Sequence, residues 1–309
     1  NTIAVSEEIR KEGLVAKNFM GDAFSNEMKK DVIKYIKEEF GGKIDLLVYS
    51  LASAVRTDPN TGEMYRSALK STAKEITGPT INLEKETMDM GTMGIATEEE
   101  ISSTVKVMGG EDWKLWIEFL DNAGVLTENF KTVAYSYLGP KVTYGIYKEG
   151  TIGAAKRDLE GTSDYLNDYL KTKYNGEAYV SLSKALMTKA SAVIPIFPLY
   201  ATLLYKVMKA KGLHEGTIEQ KQRLFKDMMY GGKPELDSNR RLRPDNWEMR
   251  EDVQSEVEAI WDTITPENFK EIGDYEGVRE EFMQLNGFDF DNIDYSADVN
   301  LEELAKLKP

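Results

Sequence analysis

Residues 135–156, YSYLGPKVTYGIYKEGTIGAAK, place a predicted strand, a turn and a helix next to several phenol and ammonium groups. Residues 131–138 alternate aromatic and smaller side chains around β-branched positions, which predicts a buried strand, and Gly139-Pro140 marks its end. Gly150-Thr151 predicts the start of a helix. A phenol beside an ammonium group is a candidate proton donor, because the positive charge lowers the phenol pKa from its usual value of about 10.

Size and composition narrow the possible functions. A chain of 309 residues can bury a large core as one α/β domain or two smaller ones. The formal net charge of -14, from 53 acidic and 39 basic residues, would repel a phosphate polyanion, so neither nucleic acid nor a membrane surface is an expected partner. The lack of cysteine excludes disulfides and thiolate catalysis, and a single histidine excludes a multi-histidine metal site.

The start of the chain and its longest apolar run bear on localisation. Residues 1–11 lack the apolar segment of a signal peptide, and their pattern is that of a helix interior, so we expect an N-terminally truncated domain. The apolar run of residues 190–205 is too short for a bilayer and contains Pro195 and Pro198. A cytoplasmic protein that does not associate with membranes is expected.

The order of predicted elements indicates the fold class. A strand at residues 14–20, an amphipathic helix at 26–40 and an apolar strand at 44–51 would form a βαβ unit. Such units predict an α/β, Rossmann-like, doubly wound parallel sheet with ligands at the carboxyl ends of its strands. Residues 55–96 predict a hairpin-like insertion and residues 212–309 a mostly helical C-terminal part. We expect a single domain spanning residues 1–309.

Two tyrosine–lysine spacings compete for the catalytic pair. Tyr144 and Lys148 share one helical face, which is the pattern of short-chain dehydrogenases. Tyr147 and Lys156 are separated by nine residues, which is half a turn out of phase on a continuous helix. The second pair therefore converges only if the backbone breaks between its members, as Gly150 and Gly153 would permit. Spacing alone leaves both pairs open.

Seven motifs are spread over most of the chain. They are GDAFS from Gly21, VYSLASxVR from Val48, TVKVMGGEDW from Thr104, AYSYLGP from Ala134, the Tyr147-x8-Lys156 pair, KASAVIP from Lys189 and KGLHEGTIEQ from Lys211. Together they resemble the trans-2-enoyl-CoA reductase family, also described as FabV-type enoyl-acyl-carrier-protein reductases, a divergent branch of the short-chain dehydrogenases. The resemblance selects Tyr147 and Lys156 over the competing pair.

The resemblance implies a reaction and a set of partners. Hydride would pass from NADH to the β-carbon of a 2,3-unsaturated acyl thioester, and the substrate carrier would be coenzyme A or acyl carrier protein. Tyr147 would be the catalytic donor and Tyr137 a substrate contact. Lys156 would anchor the cofactor ribose, and the positive charge of this lysine would favour the ionised form of Tyr147. The implied cofactor contacts are Asp22, Ala23, Leu51, Ala52, Leu186, Met187 and Thr188. A monomer is expected, with a dimer as the alternative.

The chain departs from the family pattern at its start. The Gly-rich turn that receives the cofactor pyrophosphate is not found in residues 1–50. Two other interpretations therefore stay open: a truncated, non-catalytic remnant that binds acyl thioesters, and a carbonyl-reducing short-chain dehydrogenase that uses Tyr144 and Lys148. Asp22 also has an alternative role, which is to cap the helix that follows it.

Overall fold

The structure, a computed structural model, describes residues 2–306 apart from residues 52, 233 and 235. Both helices and strands are present in this part of the chain. The helices are α1 (Thr2–Lys11), α2 (Asn26–Glu39), α3 (Glu98–Met108), α4 (Glu111–Asn122), α5 (Tyr144–Tyr147), α6 (Thr151–Tyr174), α7 (Phe197–Ala210), α8 (Thr217–Arg223), α9 (Glu251–Trp261), α10 (Phe269–Ile272), α11 (Tyr275–Leu285) and α12 (Leu301–Lys306). The strands are β1 (Ile44–Tyr49), β2 (Val55–Thr57), β3 (Met64–Arg66), β4 (Ile76–Asn82), β5 (Thr87–Met93), β6 (Leu126–Ser136), β7 (Glu177–Leu182) and β8 (Arg241–Leu242).

The main sheet is parallel throughout. Its strand order is β1-β6-β7-β8, and each neighbouring pair runs in the same direction. Tyr49 pairs with Ala134, and Ser136 pairs with Leu182, so β1, β6 and β7 end at the same edge. That edge is where ligands of open α/β sheets bind.

Side chains of β6 point alternately to the two faces of the sheet. Ala134 belongs to a buried cluster with residues of α2, α4 and α6, whereas Val133 packs with Leu224 and Met229 on the opposite face. Leu224 and Met229 bound a π-helical segment, Leu224–Met229, that continues α8. Helical structure therefore covers both faces, which confirms the predicted Rossmann-like, doubly wound sheet.

The predicted strand at residues 14–20 is wrong. This segment has no regular secondary structure, and it pairs with none of the described strands. An apolar pattern favours a strand, but a strand forms only where a neighbour completes its backbone hydrogen bonds. Val15 and Phe19 instead line, together with α1 and α2, an open cavity of about 710 Å³.

Two strand pairs and a capped helix lie between β1 and α4. Within residues 55–96, β2 pairs with β3 and β4 pairs with β5, and both pairs are antiparallel. Helix α3 begins at a capping box in which the Thr97 hydroxyl accepts from the Glu100 backbone N–H and the Glu100 carboxylate accepts from the Thr97 N–H.

The C-terminal helices form a layer around α7. Phe197, Leu199 and Tyr200 are buried, and α7 packs against α9 and α11. The apolar run of residues 190–205 is therefore largely core. In the described part of the chain, no helix combines the length and the apolar character needed to cross a membrane.

Candidate active site

The backbone breaks between the two members of the favoured tyrosine–lysine pair. Helix α5 ends at Tyr147, and α6 begins at Thr151 after an extended Gly150. A Cβ atom on Gly153 would lie 2.2 Å from the Lys148 carbonyl oxygen, so glycine permits this close approach of the two segments. The break that the spacing of Tyr147 and Lys156 demanded is confirmed.

Two cavities meet at a pair of phenol rings. The larger cavity, about 450 Å³, lies at the carboxyl ends of β1, β6 and β7. The smaller, about 170 Å³, is lined by Lys156. Tyr137 and Tyr147 line both, with ring centroids 4.6 Å apart and ring planes at 84°. A molecule in the larger cavity would therefore contact both phenols.

Tyr147 is a neutral phenol. Burial, followed by the charge of Glu248, raises the pKa of Tyr147 well above its usual value. The prediction that Lys156 would lower this pKa and favour the ionised tyrosine is wrong for this structure, because burial dominates. Tyr147 therefore keeps its proton at neutral pH and can donate it.

The Lys156 amine has a neutral hydrogen-bond partner. Its Nζ donates to the Ser136 hydroxyl at 3.0 Å, while the neighbouring Glu160 carboxylate accepts from Arg241. Burial lowers the pKa of Lys156 to about 8, and Glu160 opposes this shift. The ammonium form is therefore held without a direct carboxylate contact and can bind the hydroxyl groups of a ligand.

Glu248 lies behind the phenol pair and has no solvent exposure. Its Oε1 accepts from the Tyr137 hydroxyl at 3.0 Å and from the Tyr200 hydroxyl at 2.7 Å. Its Oε2 accepts from the Ala185 backbone N–H at 2.7 Å. Sequence reasoning missed this residue, because Tyr137 and Glu248 are 111 positions apart and no local spacing connects them.

The predicted nicotinamide-end residues follow β7, and the structure divides them. Leu186 and Thr188 line the larger cavity. Met187 is buried and lines a separate cavity beside His214, and its backbone N–H donates to the Tyr205 hydroxyl at 3.1 Å. Two of the three residues therefore lie at the phenol pair.

The predicted residues after β1 have a different environment. Leu51 is exposed, and its neighbour Ser50 lines the larger cavity. Ala52 lies outside the described residues.

Asp22 and Ala23 lie before α2 and outside the lining of both cavities. The Asp22 carboxylate accepts from the Phe24 backbone N–H at 2.9 Å, and Ser25 caps α2 by accepting from Met28. The alternative role of Asp22 as helix cap is therefore wrong. The Trp116 indole donates to the Ala23 carbonyl at 3.2 Å and holds this turn in place.

Lys221 is a second residue that sequence reasoning missed. It lines the larger cavity, its Nζ donates to the Ser183 hydroxyl at 3.0 Å, and it lies 3.6 Å from the centroid of the Tyr135 ring. Burial lowers the pKa of Lys221 to about 8. Its only signal in the sequence is its position directly after the motif that starts at Lys211.

The competing pair has another geometry. The Lys148 ammonium group lies 4.6 Å from the centroid of the Tyr144 ring, in a cation–π contact. Tyr144 lines neither of the two cavities at the phenol pair. Lys148 and Tyr144 are therefore in contact, but the Tyr144 phenol does not face the two cavities.

Two family models match consecutive parts of the chain. The model of the trans-2-enoyl-CoA reductase catalytic region matches residues 1–230, and the enoyl reductase FAD binding domain matches residues 236–299.

Curated proteins and a solved structure are similar over the whole chain. Identity is 54% with the NADH trans-2-enoyl-CoA reductase of Clostridium beijerinckii, over 100% of this chain and 78% of that protein. It is 53% with the NADH enoyl-acyl-carrier-protein reductase 2 of Photobacterium profundum, over 99% of this chain and 77% of that protein. The crystal structure of Clostridium acetobutylicum trans-2-enoyl-CoA reductase in complex with NAD matches with a TM-score of 0.97 and 52% identity, over 100% of this chain and 79% of that one.

Proposed function

Because this chain belongs to the trans-2-enoyl-CoA reductase family, we infer that it reduces trans-2-enoyl thioesters with NADH. The observation that carries this inference is the phenol pair Tyr137 and Tyr147 at the carboxyl edge of a parallel sheet, in a chain similar throughout to NADH-dependent reductases. That edge is where such sheets bind dinucleotides. Hydride adds to the β-carbon and a proton from solvent adds to the α-carbon, so the products are the saturated acyl thioester and NAD⁺.

The environment of Tyr147 suits it to act as the catalytic hydrogen-bond donor. NADH, when bound, would supply the hydride that adds to the β-carbon of the unsaturated thioester, and negative charge would then develop on the thioester oxygen. The neutral Tyr147 hydroxyl can donate a hydrogen bond to that oxygen, since burial keeps the phenol protonated. Tyr137 packs edge to face against Tyr147 and would contact the same substrate group.

Residues that line the two cavities next to this donor would hold part of the cofactor. Lys156 would bind the ribose hydroxyls, because its amine is engaged by one neutral hydroxyl and lines the cavity next to Tyr147. Leu186 and Thr188 would contact the nicotinamide end from the larger cavity. We propose Leu51 and Ala52 for the ribose and pyrophosphate path, Asp22 and Ala23 for the adenine, and Met187 for support of the loop.

The matched segment named for FAD does not suit a flavin dinucleotide in this chain. The cavity beside it, about 630 Å³, is lined by Arg223 and Arg243 as well as by Asp227 and Asp237. Arg223 pairs with Glu215, and Arg243 pairs with Asp245 and Asp237. A pyrophosphate would meet carboxylates and arginines that are already paired, so no step of the proposed reaction uses a flavin.

We also propose that residues 1–309 act as one domain. Tyr147 shares a buried cluster with Val253, Val257 and Val278 of α9 and α11. Separating the C-terminal layer from the sheet would expose this cluster and one wall of the active site.

The alternatives are less well supported. The phenol of a carbonyl-reducing dehydrogenase would be Tyr144, which lines neither cavity at the phenol pair. A non-catalytic remnant would have no need for a buried, protonated Tyr147 beside an amine. Neither alternative is retained.

The test follows NADH oxidation with crotonyl-CoA and with crotonyl-acyl-carrier-protein, using protein expressed from its complete reading frame. We expect NADH consumption and formation of the butyryl thioester with at least one carrier. The ratio of kcat/KM between the two arms identifies the carrier. No consumption with either carrier would refute the proposed reaction.

A further inference from the structure

Glu248 connects two walls of the active-site cavity from the C-terminal layer. Tyr137 lies after β6, and Ala185 lies in the loop after β7; both line the larger cavity. One carboxyl group binds both, through the Tyr137 hydroxyl at 3.0 Å and the Ala185 N–H at 2.7 Å. The position of a phenol that we assign to the substrate is therefore coupled to the loop that we assign to the cofactor.

The hydrogen bonds of Glu248 have a direction. An ionised carboxylate can only accept hydrogen bonds. The Tyr137 hydroxyl must then donate its hydrogen bond to Glu248, and only lone pairs of the Tyr137 oxygen face the cavity. A protonated carboxyl can donate through Oε1 to the Tyr137 oxygen, which frees the Tyr137 proton to point into the cavity. Only the second arrangement lets Tyr137 donate to a thioester oxygen that gains negative charge.

Neighbouring groups complete the second arrangement. The Gln254 side-chain N–H donates to the Tyr200 hydroxyl at 3.1 Å and to the Glu248 backbone carbonyl at 2.6 Å. The Tyr200 hydroxyl donates in turn to Glu248 Oε1 at 2.7 Å. A protonated Glu248 then extends this series of donors through Tyr137 to the cavity, and each hydroxyl in it accepts one hydrogen bond and donates one.

We propose that Glu248 is a positioning residue of the reductase: its protonated carboxyl orients the Tyr137 hydroxyl toward the thioester oxygen and fixes Tyr137 to the Ala185 loop. This role rests on the proposed function. It assigns a task to the C-terminal layer, since Glu248 lies between α9 and the 3₁₀ segment Pro244–Asn246.

The charged surroundings allow the protonated form. Burial raises the pKa of Glu248 to about 7, the Ala185 N–H and the Tyr200 hydroxyl oppose the shift, Asp245 adds to it, and Lys184 opposes it. Burial also raises the pKa values of Tyr137, Tyr147 and Tyr200 well above their usual value, so these phenols stay neutral. Glu248 is therefore protonated below about pH 7 and ionised above it.

The test compares the pH profile of kcat/KM for crotonyl-CoA in wild type and Glu248→Gln. The amide keeps a donor for Tyr137 and an acceptor for Ala185 but does not ionise. With NADH held saturating at every pH, so that its binding at Lys156 does not contribute, wild type should lose at least threefold in kcat/KM between pH 6 and pH 8, because the productive form is lost as pH rises through about 7. Glu248→Gln should keep activity and lack this decline; an unchanged decline in this variant would overturn the proposal.

Two further variants separate positioning from stability. Tyr200→Phe removes a donor that favours the ionised carboxylate, so the decline should move to higher pH; no movement would count against the proposal. Glu248→Ala should raise KM for crotonyl-CoA at least tenfold in protein whose fold is verified by circular dichroism. An inactive wild type would refute the proposed function and this inference together, whereas an active wild type with matching profiles would refute the inference alone.

Discussion

Two buried groups of this chain contain a tyrosine, a lysine and a carboxylate, and they differ in how their charges are paired. Near α2, the Lys29 amine donates to Asp112 at 2.8 Å and to the Phe24 carbonyl at 2.7 Å, and the Tyr49 hydroxyl donates to the same Asp112. At the sheet edge, Lys156 donates to a neutral hydroxyl, and the phenol pair faces two cavities. The paired charges of the first group are typical of a structural role, whereas the second group keeps unused hydrogen-bonding capacity next to a cavity, as expected of the candidate site.

The electrostatics of the two groups agree with this distinction. Burial raises the pKa of Asp112 although Lys29 and Arg56 oppose the shift, so removal of Lys29, its ion-pair partner, would leave an unpaired buried carboxylate at a large cost in free energy. In the second group, burial lowers the pKa of Lys156 to about 8, close to working pH. The charged groups of the first site are already paired within the protein, whereas Lys156 in the second site can form further hydrogen bonds to a ligand.

Substitution at Tyr147 should produce the largest effect on activity. Tyr147→Phe removes the proposed donor, so kcat for crotonyl-CoA should fall by about 10²–10⁴-fold with little change in thermal stability. Tyr144→Phe is the matched control and should retain the wild-type rate. A collapse in the control with an unchanged rate for Tyr147→Phe would transfer the catalytic role to the other pair.

Substitution at Lys29 should produce the largest effect on stability. Lys29→Met leaves Asp112 buried without its ion-pair partner, so the free energy of unfolding should fall by about 3–5 kcal/mol in urea titrations. Lys30→Met, at the adjacent exposed position, should change it by at most about 0.5 kcal/mol. Equal effects of the two substitutions would show that the buried pair is not the structural group described above.

Lys156 should control cofactor affinity. Lys156→Met removes a charged donor, so KM for NADH should rise by about 10- to 150-fold while stability changes little. In wild type, affinity for NADH should weaken as pH rises through about 8, because the ammonium form exists below that pKa. An affinity that is independent of pH between 7 and 9 would contradict the ribose-anchor role.

The smallest predicted effect concerns the backbone between Tyr147 and Lys156. Gly153→Ala places a Cβ against the Lys148 carbonyl, so we expect the free energy of unfolding to fall by about 1–3 kcal/mol in urea titrations and kcat for crotonyl-CoA to fall as well. Gly161→Ala lies in the same helix, and no atom lies within 4 Å of its new Cβ. This substitution should instead raise the free energy of unfolding by about 0.5–1 kcal/mol. If both variants behaved alike, the close approach at Gly153 would not matter for the site.

Local patterns predicted much of the fold. The apolar strands near 44–51, 131–138 and 177–183, the capping box at Thr97 and the helix start after Gly150 are all present within a few residues. These features depend on backbone propensity and on side-chain periodicity, which neighbouring residues express. The strand at residues 14–20 was mispredicted, because strand formation depends on a partner that local pattern does not supply.

For the site, the sequence by itself determined the residue types, and its family resemblance selected Tyr147 and Lys156 over Tyr144 and Lys148. Helical geometry added the need for a backbone break between Tyr147 and Lys156, because nine positions are half a turn out of phase on a continuous helix. Only the tertiary structure decided which groups carry charge and which atoms meet. The protonated state of Tyr147 comes from burial, and the contact of Glu248 with Tyr137 joins residues 111 positions apart. Desolvation and long-range contacts are properties of the packed chain, so no local spacing encodes them.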